Sequence, residues 1–102
     1  MSDQNLEQLF WSCVEESLSL ANEKAQDADP GVVSEALMYA AARFATFVMA
    51  ANSETQDDFV EDRSEYFKHL AGRFRDFLDD NFDDYGENYH QLLERPNTDE
   101  DQ

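Results

Sequence analysis

The sequence predicts an all-α protein: three helices of roughly 20–25 residues in an up-down-up bundle, with an extra C-terminal helical segment. Three observations lead there. Only three Gly and two Pro occur in 102 residues, so there are few places to turn and long helices are favoured over many short strands. Hydrophobic residues make up 41% of the chain, and eight Phe, four Tyr and one Trp add large apolar area. That is more than a disordered acidic chain carries, and enough for one modest core. Apolar residues also recur at spacings of three and four along most of the length, the mark of helical faces.

The first helix is read from residues 4–27. Leu6, Leu9, Phe10, Cys13, Val14, Leu18, Ala21 and Ala25 form one apolar face, while Glu7, Glu15, Glu16 and Glu23 lie largely off it. The string Asp27-Ala-Asp29-Pro30-Gly31 interrupts this rhythm. Helix is disfavoured just before proline, so the first helix should end near Ala28.

The second helix follows at once. Asp29 is placed to cap it, with Pro30 in the first turn, where a missing N–H costs nothing. Ser34 is a competing cap. The apolar rhythm runs through Val33, Ala36, Leu37, Ala40, Phe44, Phe47, Val48 and Ala51, with Met38, Ala41, Ala42, Ala45 and Met49 on the other sides. A helix that is apolar nearly all round is either buried on several faces or embedded in a membrane. Residues 36–51 would span only about 24 Å, against roughly 30 Å of hydrocarbon. Arg43 sits near the middle, where insertion costs about 2.5–3.5 kcal/mol. The flanks are acidic. The expectation is therefore a soluble central helix with no membrane partner.

Asn52-Ser53-Glu54-Thr55 breaks the pattern again. Ser53 with Gln56 fits a capping box, and Asp57 and Asp58 suit the positive end of a helix dipole. The third rhythm runs Phe59, Tyr66, Leu70, Phe74, Phe77/Leu78, Phe82, Tyr85, Tyr89 and Leu92/Leu93. One helix from about 55 to 94, or a break near Asn81 or Gly86, both fit; a break near residues 80–83 is favoured, followed by a shorter helix to Glu94. Residues 1–94 are then a single helical-bundle domain, and residues 95–102, without an apolar anchor, are expected to be a disordered acidic tail.

The charge narrows the partners. Twenty-four Asp and Glu face seven Lys and Arg, a formal net charge of −17. Nucleic acid is a poor partner, because phosphate binding needs clustered Lys and Arg. Anionic membrane surfaces repel the chain for the same reason. Basic proteins remain suitable, although such charge also serves solubility alone. The one cysteine, Cys13, excludes an intrachain disulfide and suits a reducing compartment. The opening MSDQNLEQLF lacks the basic and continuous apolar regions of a signal peptide, so a cytoplasmic location is expected.

No catalytic constellation stands out. Cys13 lies on an apolar face, neither histidine has an evident Ser or Cys partner, and there is no Gly-rich phosphate loop, so neither enzymatic activity nor a cofactor is expected. The aromatics at helical spacing read as core. Arg43 reads as a tether, its stem packed along the bundle and its guanidinium reaching an acid of another helix, rather than as an anion-binding group. Asp76, Asp79, Asp80, Asp83, Asp84 and Glu87 form a dense negative stripe if helical. Asp79-x-Asn81-x-Asp83 superficially opens a calcium loop, but Asp84 stands where Gly is required and His90 where Glu is. Glu87-x-x-His90 matches a diiron-bundle spacing, but the chain holds one copy of a motif needed twice. A metal site using Glu87, His90 and Asp83 is retained only as the alternative function.

The strings Leu20-Ala21-Asn22-Glu23, Asp29-Pro30-Gly31-Val32-Val33-Ser34, Tyr39-Ala40-Ala41-Ala42-Arg43-Phe44 and Asp83-Asp84-Tyr85-Gly86-Glu87-Asn88-Tyr89 resemble a family of small acidic bacterial proteins. That family is described only as a domain of unknown function, number 3144. The likeness spans roughly residues 6–90 in order and implies a bacterial, cytoplasmic source. It implies no catalytic residues, substrate or cofactor. It draws notice to Tyr39, Arg43 and Phe44, and to Asp84, Tyr85 and Tyr89, as structural or interaction residues. The preferred function is a non-enzymatic protein–protein interaction module, with a protein partner of basic character. A small core also leaves homodimerisation through residual apolar surface open.

Overall fold

The computed structural model describes residues 3–94 and is all-α, as the sequence predicts. The expected tail, 95–102, lies outside the described residues. Five helices are described: α1 Asp3–Ala25, α2 Pro30–Ala51, α3 Gln56–Glu61, α4 Arg63–Glu87 and α5 Tyr89–Leu93. They fall into two units. One comprises the chain up to Leu37 together with the segment from Tyr89; the other is Met38–Asn88.

In the first unit, α1 ends as Gln26 and Asp27 donate back to the carbonyls of Glu23 and Lys24 at 3.3 and 3.2 Å. Asp29 then starts α2 as expected. Its Oδ1 accepts from the Gly31 N–H at 3.0 Å, and its carbonyl accepts from Val32 and Val33. Two otherwise unsatisfied groups of the helix start are thereby used. Of the predicted α1 face, Val14, Leu18, Ala21 and Ala25 are half-buried, whereas Leu6, Leu9, Phe10 and Cys13 are exposed.

In the second unit, the connection between α2 and α4 differs from the expected capping box. Ser53 does not cap. Its Oγ donates to the Met49 carbonyl at 3.0 Å and lies 2.9 Å from the Tyr66 hydroxyl. Because the serine proton is committed to Met49, the tyrosine is the donor of that second bond. Thr55 takes the cap: its Oγ1 accepts from the Asp58 N–H at 3.0 Å. The third helix is interrupted at Asp62, whose backbone (φ −88°, ψ 8°) departs from helical values. The second interruption falls at Asn88, not at residues 80–83. Asn81 stays in the helix because its Nδ2 donates to the Phe77 carbonyl at 2.8 Å. At Asn88 the side chain instead bridges to the Asp84 carboxylate at 2.8 Å, and the chain leaves the helix.

Two further expectations need correcting. The first is the closed core. No described residue is buried, and the aromatics read as core, among them Phe44, Phe47, Phe67 and Phe74, are exposed. The physical reason lies in the contacts. In the second unit it is α3 that packs on α4, and the half-buried side chains Met49, Ser53, Phe59, Tyr66 and Leu70 gather at the α2–α4 connection. Partial burial gathers at that connection and, in the first unit, along Val14, Leu18, Ala21 and Ala25, and no described side chain is fully enclosed. The second correction concerns length. With 22 residues α2 is about 33 Å long. By length and composition it is one helix, among the described residues, that could cross a bilayer. The length argument against a membrane therefore fails, and what remains is Glu35 and Arg43 within the helix and the acidic flanks on either side.

Candidate functional site

The second unit carries most of the predicted residues. Tyr39, Arg43 and Phe44 lie on exposed surface of α2. The Phe44 and Phe47 rings approach to 6.0 Å between centroids at 38°, so the two form a small aromatic pair one turn apart. Arg43 is not the buried tether expected of it. It is exposed, and no described acid pairs with it; the described ion pairs are Lys68–Glu65 at 4.0 Å and Arg73–Asp76 at 3.8 Å.

Beside this surface the connection forms an apolar groove of about 360 Å³, lined among others by Met49, Phe59, Val60, Tyr66, Phe67 and Leu70. The Phe59 and Tyr66 rings of its lining lie 6.0 Å apart between centroids and are inclined by 32°. Thr46 and Arg63 supply its polar groups. No local signal announces this groove, because it depends on the interruption at Asp62 and on the Ser53–Tyr66 bond. Neither has a periodic signal.

Along α4 the acids form the stripe that their spacing predicts. Asp76, Asp79, Asp80, Asp83, Asp84 and Glu87 are all exposed. Arg73 partly offsets it, pairing with Asp76 while its guanidinium lies 4.8 Å over the Phe77 ring. Asp84 turns out to have a local structural task, since its carboxylate and carbonyl both accept from Asn88. Tyr85 is half-buried.

In the first unit, Tyr89 is exposed and makes an edge-to-face contact with His90, 5.3 Å between centroids. The Glu87-x-x-His90 spacing presupposes one continuous helix, and α4 ends at Glu87. Among the described residues, no group of three or more His, Cys, Asp or Glu is arranged to hold a metal ion.

The four strings that resemble a known family thus fall on α1, on the start and middle of α2, and on the α4 stop. A family described as "Protein of unknown function (DUF3144)" matches residues 10–86, well over half of the chain. The chain belongs to the DUF3144 family. The match runs from α1 almost to the end of α4, so it takes in the capped start of α2, the Thr55 cap and the acidic stripe alike. No curated protein and no solved structure matches the chain.

Proposed function

We propose that this DUF3144 protein is a non-enzymatic interaction module of the bacterial cytoplasm, whose acidic α4 face receives a basic segment of a protein partner. One observation carries the reading. Asp79, Asp80 and Asp83 stand exposed on one helix, and no described cation pairs with them. Like charges at three and four residues destabilise their own helix by a few tenths of a kcal/mol per pair. A basic partner relieves that repulsion and is steered by the −17 net charge. Nucleic acid carries the wrong sign for this surface.

The test uses a defined probe, a fluorescent lysine- and arginine-rich peptide, alongside capture from the bacterial lysate. Binding should weaken at least tenfold between about 50 and 300 mM salt, since exposed charges are screened over a Debye length. It should weaken similarly when Asp79, Asp80 and Asp83 are changed together to Asn. Equal binding by that variant, or binding indifferent to salt, overturns the reading.

A further inference from the structure

We draw no further inference here: the strongest candidate, the apolar groove at the α2–α4 connection together with the exposed α2 face beside it, carries nothing, because nothing in the structure shows what covers it.

Discussion

Helices α2 and α4 have similar lengths, 22 and 25 residues, and opposite surfaces. α2 holds two charged residues, whereas α4 holds eleven, seven of them acidic. Yet both are largely exposed, including Phe47 on α2 and Phe82, 74% exposed, on α4. For the acids of α4 this is the ordinary state of the charged side of an amphipathic helix. For α2 it is not, because a helix apolar on all sides has no side that water stabilises. The difference teaches that exposure has separate meanings in the two helices: on α4 a solvated acidic face, on α2 an apolar surface that calls for cover.

The sharpest way to break that comparison is Phe47→Glu. On a surface that remains exposed it would change stability by no more than about 0.5 kcal/mol. On a covered surface it should cost at least about 3 kcal/mol, the order seen when a packed phenylalanine is removed. Urea denaturation at fixed chain concentration separates the two outcomes. Thr55→Ala comes next. Loss of the bond from the Asp58 N–H should cost about 1 kcal/mol and loosen α3, visible as faster amide exchange over residues 56–61. Gly72→Ala reports on the α4 side. A methyl there meets nothing within 4 Å, so the substitution should stabilise by about 0.5–1 kcal/mol through helix propensity. Destabilisation would mean that a partner covers that part of α4. The smallest effect belongs to Glu65→Gln. The pair with Lys68 is long and solvent-exposed, so the melting temperature should move by no more than about 2 °C.

Much of this architecture is legible in the sequence, for identifiable reasons. The α1–α2 boundary is written in local chemistry: proline forbids continuation and Asp29 caps, so Asp29 and Pro30 fall where the residues place them. The α2–α4 connection is less legible because Ser53 and Thr55 have similar capping ability, and the choice depends on Tyr66, thirteen residues beyond Ser53, which engages the serine hydroxyl. The end of α4 is not legible, because Asn81 and Asn88 look alike in one dimension. One folds its amide back onto the Phe77 carbonyl within the helix, and the other bridges to Asp84 as the helix stops. The apolarity of Phe44 and Phe47 was legible as a need for cover. What provides the cover was not, because periodicity specifies a buried face without saying whether the covering atoms belong to the same chain. The acidic stripe was legible residue by residue, since it needs only helical spacing. The groove was not, since it needs an interruption at Asp62 that no residue announces.

Titration of a fluorescent lysine- and arginine-rich peptide against the full-length chain tests the proposed function most directly. Binding that weakens at least tenfold between about 50 and 300 mM salt, and similarly when Asp79, Asp80 and Asp83 are changed together to Asn, is the expected result. Binding indifferent to salt or to those substitutions would contradict it.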